Sequence, residues 1–148
     1  MDHRQVKFTR LDSRASAPAC GTPFAAGADL RAVSDGPITI RPNETVLVHT
    51  GLAMEIPEGL VGLVYARSGL ASKRGLVPAN CVGVIDSDYR GEIMVALHNH
   101  SEKTQTIESG ERIAQLVIAP YISAEFIEAD SLSETDRGQG GFGSTGTK

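Results

Sequence analysis

Short apolar segments separated by turn-forming residues fill most of the chain, and this alternation limits its fold more than any other feature. Between residues 6 and 127, segments rich in Val, Ile and Leu are interrupted by Gly, Pro, Asn or Asp about every ten residues. In Glu92–Asn99, the residues Ile93, Val95 and Leu97 fall on one face, which is the period of two of a strand. The segments are 38–40, 45–49, 52–56, 60–65, 82–85, 92–99, 103–107, 113–118 and 123–127. The pattern predicts an all-β barrel or sandwich.

Two segments depart from the strand pattern. Ser68–Gly75 begins with a residue suited to an N-cap and ends with a glycine suited to a helix C-terminus, which predicts one short helix. The last 18 residues, 131–148, contain five glycines and only two large apolar residues, Leu132 and Phe142. Such a segment cannot bury enough surface to hold itself in place. We expect a barrel domain at 1–130 and a flexible tail at 131–148 that only a ligand or another subunit would order.

Composition excludes several classes of protein. The chain has 148 residues and a net charge of −4, which argues against a broad basic face for nucleic acid. The apolar runs are too short for a membrane helix, and the N-terminus lacks the apolar stretch of a secretory signal, so a cytoplasmic protein is expected. Cys20 and Cys81 make neither a disulfide framework nor a four-ligand zinc site. His98 and His100 would share a strand face, but without a third ligand nearby metal binding by this pair is disfavoured.

Two segments carry residues suited to an anionic ligand and a third carries a carboxylate at a predicted hairpin, although each has a plain structural alternative. Arg67-Ser68-Gly69 at the predicted helix start offers a guanidinium, a hydroxyl and unpaired N–H groups, but a serine there is often only a cap. The tail from Arg137 to Gly146 combines glycines with phosphate-type donors, whereas a flexible terminus would need neither Arg nor Phe. The segment 80–92 predicts a hairpin with Asp86 at its mouth, where an Asp commonly caps its own turn.

Taken together, these segments resemble the trimeric dUTPases, the deoxyuridine triphosphate nucleotidohydrolases. Five motifs match in order over nearly the whole chain: 26–30, 66–71, 80–92, 110–116 and 137–146. The departures are Ala28, where many members have a larger residue, and Ala66, where Pro is common. Neither removes a side chain that the family's chemistry uses.

The resemblance implies a jelly-roll-like β-barrel with one short helix, assembled as a homotrimer whose sites lie at subunit interfaces. The glycine-rich tail of one chain would close over a site formed by its neighbours. The implied reaction is the Mg²⁺-dependent hydrolysis of dUTP to dUMP and pyrophosphate, which supplies the dTMP precursor and keeps uracil out of DNA.

The resemblance also implies a role for individual residues. Asp86 would activate the water that attacks the α-phosphorus, and Asp29 would help to place Mg²⁺ through water. Tyr89 would pack under the deoxyribose. The remaining contacts to the substrate would come from Arg67, Ser68, Gly69, Asn80, Val84, Ile85, Met94, Gln115, Arg137, Phe142, Gly143, Ser144 and Thr145.

Two competing functions on the same fold are disfavoured by the residues present. A dCTP deaminase would need a catalytic Glu in the hairpin region and an Arg-Ser-Ser type of second motif, whereas this chain has Asp86 and Arg67-Ser68-Gly69. A noncatalytic binding protein predicts loss of Asp86 or of the tail motif, and both are present. A regulatory role in addition to catalysis and the use of Mn²⁺ in place of Mg²⁺ both stay open.

Overall fold

The structure is a computed structural model that describes residues 3–141 of the chain. These residues form β-strands and one short helix, which confirms the predicted all-β barrel with a single helix. In chain order the elements are β1 (Lys7–Arg10), β2 (Ala19–Cys20), β3 (Ala28–Arg31), β4 (Ile38–Ile40), β5 (Thr45–Glu55), β6 (Leu60–Tyr65), α1 (Ser68–Arg74), β7 (Leu76–Pro78), β8 (Val82–Ile85), β9 (Glu92–Asn99), β10 (Gln105–Ile107) and β11 (Arg112–Pro120).

The strands pair in two main sheets and one small pair, with antiparallel neighbours throughout the described ladders. The first sheet has the order β1-β5-β9-β7, and the second has the order β2-β3-β11-β6-β8. Strands β4 and β10 form the small pair. One hydrophobic core contains buried residues of both sheets and of the small pair, among them Leu30, Ile40, Leu52, Leu97 and Ile113.

Strand β9 confirms the period of two that the sequence shows. Ile93, Val95 and Leu97 are buried, and the residues between them are not. Asn99 continues the buried row because its amide donates to the carbonyls of Ile40, at 2.9 Å, and Lys103, at 2.8 Å. These two bonds satisfy a polar group that would otherwise be costly to bury.

The helix lies where the sequence predicts it, but its first residue differs from the expectation. The N-cap is Arg67, with extended backbone and no side-chain capping bond, so Ser68 is the first helical residue and the expected cap at Ser68 is wrong. Gly75 ends the helix in the left-handed conformation, with φ of 67°, and its N–H donates to the carbonyls of Leu70 and Ala71. That conformation is the reason a glycine ends this helix.

The predicted strand at 123–127 is wrong. The chain leaves the second sheet after Pro120 and continues without a strand partner among the described residues. Ile122 is 93% exposed and Phe126 is 96% exposed. Apolar residues alternate here, but a strand also needs a neighbour to pair with, and residues 3–141 offer none at that place.

No helix within residues 3–141 is long and apolar enough to cross a lipid bilayer.

Candidate active site

A cavity of about 440 Å³ opens between the start of α1, β3 and the first half of β11. Four basic side chains and two acidic ones line it, so it carries an excess of positive charge. The lining side chains include Arg67, Ser68, Lys73, Arg74, Arg112 and Gln115, together with Asp29 and Glu111. A cavity with this balance of charge suits a polyanion such as a phosphate chain.

Asp29 holds two of the arginines that line this cavity. Arg67 donates from Nε to Oδ1 of Asp29 at 2.8 Å, and Arg112 donates from Nη1 to Oδ2 at 3.1 Å. The Asp29 side chain is 17% exposed, so water screens these ion pairs only partly. Within the described residues, the two terminal amino groups of Arg67 make no hydrogen bond, which leaves a fixed guanidinium edge for a ligand.

Gln115 faces Asp29 across the β3–β11 ladder and completes this side of the cavity. Its Nε2 donates to the carbonyl of Ala66 at 2.9 Å, just before α1. A Cβ on Gly27 would come within 2.6 Å of Gln115 Oε1, so the glycine leaves the space that this side chain fills. The predicted residues Asp29, Arg67, Ser68, Gly69 and Gln115 therefore meet at one cavity.

Arg74 lines the same cavity but serves the fold. It donates to the side chains of Gln105 and Glu111 and to the carbonyl of Thr106, all from the segment that includes β10 and precedes β11. Each of its three guanidinium nitrogens makes one of these bonds, so Arg74 ties the end of α1 to that segment.

Arg112 also lines this cavity, a position that the sequence did not predict. Regular alternation would place it on the opposite sheet face from Gln115, three residues later. A β-bulge between Arg112 and Ala114 shifts the ladder and turns Arg112 toward Asp29. Its position in the same sequence motif as Gln115 is the signal that could have found it.

The hairpin residues lie around a second and larger groove, of about 920 Å³. Asp86 follows β8 directly and is exposed, and within the described residues its carboxylate makes no hydrogen bond or ion pair. Tyr89 lies at the bend, where its phenol donates to the carbonyl of Glu92 at 2.9 Å. A Cβ on Gly91 would lie 2.4 Å from the Tyr89 oxygen, so the ring packs directly over this glycine.

Val84 and Ile85 lie on β8, Met94 lies on β9, and Asn80 lies in the turn just before β8. The carbonyl of Asn80 accepts the N–H of Val82 at 2.7 Å, and between them Cys81 has a φ of 62°, so the chain makes a very tight turn into β8. Val84 and Met94 are exposed, whereas Ile85 packs against the core.

The two groups of residues are far apart within one chain. The register places Asp29, Gln115, Tyr65 and Val82 in one row across β3, β11, β6 and β8. Asp86 lies four residues beyond Val82, so it is about 14 Å from Asp29 across the sheet and about 13 Å along it, or roughly 20 Å in all. One chain does not bring its own Asp86 to its own Arg67.

The tail residues meet neither group where the structure describes them. Arg137 is exposed and donates from Nε to the carbonyl of Gly140 at 2.8 Å, within a local turn. The predicted site residues Phe142, Gly143, Ser144 and Thr145 lie outside the described residues.

Both the fold and the sequence of the chain are similar to those of known proteins. The chain has a TM-score of 0.85 and 28% identity to the Staphylococcus bacteriophage 80alpha dUTPase with dUPNHPP, covering 97% of this chain and 99% of that one. It is 52% identical over 143 residues to the deoxyuridine 5'-triphosphate nucleotidohydrolase of Desulfitobacterium hafniense, covering 96% of this chain and 95% of the relative. The corresponding protein of Aeromonas salmonicida is 48% identical over 147 residues, covering 96% and 97%.

The model of the dUTPase family matches residues 13–146. The chain belongs to the dUTPase family.

Proposed function

We propose that this protein is a dUTP diphosphatase that hydrolyses dUTP to dUMP and pyrophosphate. The observation that carries the proposal is the cationic cavity, in which Asp29 fixes Arg67 beside Ser68 and Gln115. These residues belong to motifs by which the chain resembles the dUTPases, and its relatives over nearly the whole length are deoxyuridine 5'-triphosphate nucleotidohydrolases. The phosphate chain binds in this cavity, where Arg67, Ser68, Gly69 and Gln115 hold its oxygens.

Asp86 acts as the general base of the reaction. Its exposed carboxylate takes a proton from water, the resulting hydroxide attacks the α-phosphorus, and the bond to the bridging oxygen breaks as pyrophosphate leaves. The absence of an ion pair at Asp86 among the described residues leaves the carboxylate available for this proton. No covalent intermediate with the protein is needed.

The hairpin region recognises the nucleoside. Asn80 and the backbone of Val84, Ile85 and Met94 bind the uracil edge, and buried polar groups left unpaired by another base would reject it. Tyr89 packs under the deoxyribose and leaves no room for a 2′-hydroxyl. The Tyr89 ring is suited to this because its phenol is tied to Glu92 and its face is fixed over Gly91.

The residues of the cavity suit a Mg²⁺ ion that is held mainly by substrate and water. Among residues 3–141, the carboxylates that line it are Asp29 and Glu111; Glu111 accepts from Arg74, and each oxygen of Asp29 accepts one guanidinium bond. Such a set cannot form an all-protein cage, but Asp29 retains lone pairs for a coordinated water. When bound, the ion neutralises charge on the phosphates, and Asp29 orients it through water.

The complete site is formed by several chains of a homotrimer. The separation of roughly 20 Å between Asp86 and Asp29 in one chain supports this, since a substrate that touches both groups would receive them from different copies. The outer face of the second sheet also supports this, since its partly exposed side chains on β6, β8 and β11 are apolar apart from Gln115, and Val84 is 62% exposed. This face consists of Val61, Leu63, Tyr65, Val82, Val84, Val117 and Ala119.

The trimer is tested with Val117→Lys, which places a charge on the apolar face beside Leu63. Light scattering on the wild type should give three times the chain mass of 15.6 kDa. The variant should shift toward the monomer, whereas Thr39→Lys, on an exposed position of β4, should leave the mass unchanged. A monomeric wild type with full turnover would overturn the shared site.

The tail at 131–148 closes the site rather than building the barrel. Arg137, Phe142, Gly143, Ser144 and Thr145 hold the end of the phosphate chain and cover the base. Deletion of residues 137–148 should therefore leave the trimer intact and remove most of the turnover. A dissociated trimer would show instead that the tail is structural.

Asp86→Asn tests the reaction itself, and Asp88→Asn is its matched control because both carboxylates are exposed in the same turn. Pyrophosphate release from dUTP with Mg²⁺ should fall at least about a hundredfold for Asp86→Asn, as expected for the loss of a positioned base. Asp88→Asn should stay within about threefold of the wild type. An unchanged rate for Asp86→Asn would refute the role of Asp86.

A further inference from the structure

The hairpin that carries Asp86 is attached to the barrel at an irregular place in the first sheet. The β5–β9 ladder pairs His49 with Met94 and then Ala53 with Glu92, so three residues of β5 lie opposite one residue of β9. Such a bulge removes backbone groups from the ladder and leaves them to find other partners. Beside the remaining ladder pair of Ala53 and Glu92, side chains therefore help to attach the base of the hairpin.

Glu92 supplies that attachment with its carboxylate. Its Oε1 accepts the N–H of Gly51, in the middle of the bulge, at 2.8 Å. Its Oε2 lies 2.9 Å from Nδ1 of His49, at the start of the bulge. The Glu92 side chain is 20% exposed, so its bonds are largely shielded from water, whereas His49 is 58% exposed.

The bulge itself is held in one shape, so it is a rigid support for Glu92. Gly51 has a φ of 65°, and a Cβ there would lie 2.9 Å from Cβ of Ala15 and 3.0 Å from Cβ of Asp12. Its carbonyl accepts the N–H of Leu11 at 2.8 Å, which ties the bulge to the end of β1. Thr50, which is buried, donates its hydroxyl to the carbonyl of Ile93, next to Glu92.

The main chain of Glu92 holds the other side of the connection. Its carbonyl accepts the phenol of Tyr89 at 2.9 Å, and the N–H of Tyr89 donates to the carbonyl of Asp86 at 3.2 Å. Glu92 thus links the bulge of β5 to the Tyr89 ring at the bend. Tyr89 in turn is joined to Asp86 by the backbone hydrogen bond of the same turn.

We infer that Glu92, supported by His49, is a positioning residue that sets the orientation of Tyr89 and Asp86 for the sugar and the attacking water. This inference rests on the proposed function, because Tyr89 and Asp86 have those roles only in dUTP hydrolysis. Without the carboxylate, the N–H of Gly51 loses its partner and the hairpin base is free to shift. A displacement of about 1 Å near the reacting atoms is enough to cost about a hundredfold in rate.

The test compares Glu92→Ala and Glu92→Gln in turnover of dUTP and of UTP. Glu92→Ala should lower kcat for dUTP at least about tenfold, and it should lower the ratio of kcat/KM for dUTP to that for UTP at least about tenfold. Glu92→Gln should restore both to within about threefold, since its oxygen can accept from Gly51 and its amide can donate to His49. A loss of folded protein alone would lower kcat but leave the substrate ratio unchanged.

Glu44→Ala is the matched control. Glu44 also accepts a backbone N–H, from Arg41 at 2.6 Å, but at the far end of β5 from the hairpin. Its kcat and substrate ratio should equal those of the wild type. If Glu92→Ala does not fold, His49→Ala tests the same attachment by removing the exposed partner of the Glu92 carboxylate. Its ratio of kcat/KM for dUTP to that for UTP should fall at least about threefold.

Wild-type kcat and an unchanged ratio in Glu92→Ala, or an unchanged ratio in His49→Ala, would overturn the inference. The wild type and Asp86→Asn in the same assay separate this failure from a failure of the proposed function. No pyrophosphate release from dUTP by the wild type would refute the function, and full turnover by Asp86→Asn would refute the role of Asp86. An inactive Asp86→Asn beside a fully selective Glu92→Ala would refute only the role of Glu92.

Discussion

Gly91→Ala is the sharpest test of how the hairpin presents Tyr89. The new Cβ would lie 2.4 Å from the phenol oxygen and 2.6 Å from Cζ of the ring, closer than the 3.0 Å limit that real Cβ atoms respect. Gly91 cannot move easily because it lies just before β9, and the flexible partner is the Tyr89 side chain. The ring must therefore retreat by more than half an ångström.

This movement should cost more in catalysis than in stability. It would break or lengthen the 2.9 Å bond from Tyr89 to the carbonyl of Glu92, a loss of about 1 kcal/mol in the free energy of unfolding, or about 2–4 °C in Tm. A displacement approaching 1 Å under the sugar would lower kcat/KM for dUTP between about tenfold and a hundredfold. A hundredfold loss is about 2.7 kcal/mol of transition-state stabilisation.

The assay is pyrophosphate release from dUTP and UTP, together with a thermal melt. Gly36→Ala is the control for the added methyl group, because nothing lies within 4 Å of a Cβ at Gly36. It should change neither kcat/KM nor Tm. A Gly91→Ala enzyme with wild-type kcat/KM and undiminished preference for dUTP would refute the packing of Tyr89 under the deoxyribose.

Three further predictions concern the hydrophobic core, the cationic cavity and the stability of the protein at acid pH. Leu97→Ala removes a fully buried side chain and should lower the free energy of unfolding by about 3–5 kcal/mol in a thermal melt; a loss below about 1 kcal/mol would contradict its burial. Asp29→Asn keeps only one good acceptor for two guanidinium groups, so KM for dUTP should rise at least about tenfold, and an unchanged KM would show that Arg67 keeps its orientation without this carboxylate. The hydrogen bond from Arg14 lowers the pKa of Asp12 to about 2. The stabilisation from this pair should be present above pH about 4 and disappear as the pH falls toward 2, and an NMR titration midpoint near 4 for the Asp12 carboxyl would refute the pair.

Much of the fold follows from the local pattern of the sequence. The strand Glu92–Asn99 has the predicted bounds, and the helix ends at the glycine that the sequence indicates, because both depend on interactions within a few residues. The short strands β1, β2, β3 and β7 were not predicted, since their few residues lack a clear alternation and become strands only by pairing with distant ones. The predicted segments 45–49 and 52–56 fall largely within one strand, β5, because Gly51 makes a bulge and not a turn.

The site could be predicted only as far as its motifs extend. The motifs identify Asp29 and Arg67, but the ion pair between them joins residues 38 positions apart and depends on the approach of β3 to the start of α1. The contact of Arg112 needs a bulge that leaves no mark in the sequence. The contacts of the Glu92 carboxylate could not be predicted either, because a glutamate at the start of a strand ordinarily faces solvent.

The distance between Asp86 and Arg67 along the sheet has a genetic consequence. In the proposed homotrimer, a chain with Asp86→Asn still contributes an intact cationic cavity, and a chain with Arg67→Ala still contributes the general base, Asp86. Two variants that are inactive alone should therefore make working enzyme when they are unfolded and refolded together, with about a quarter of the sites restored in a random mixture. A cell that carries both damaged alleles would therefore have active enzyme, although a cell that carries either allele alone would not.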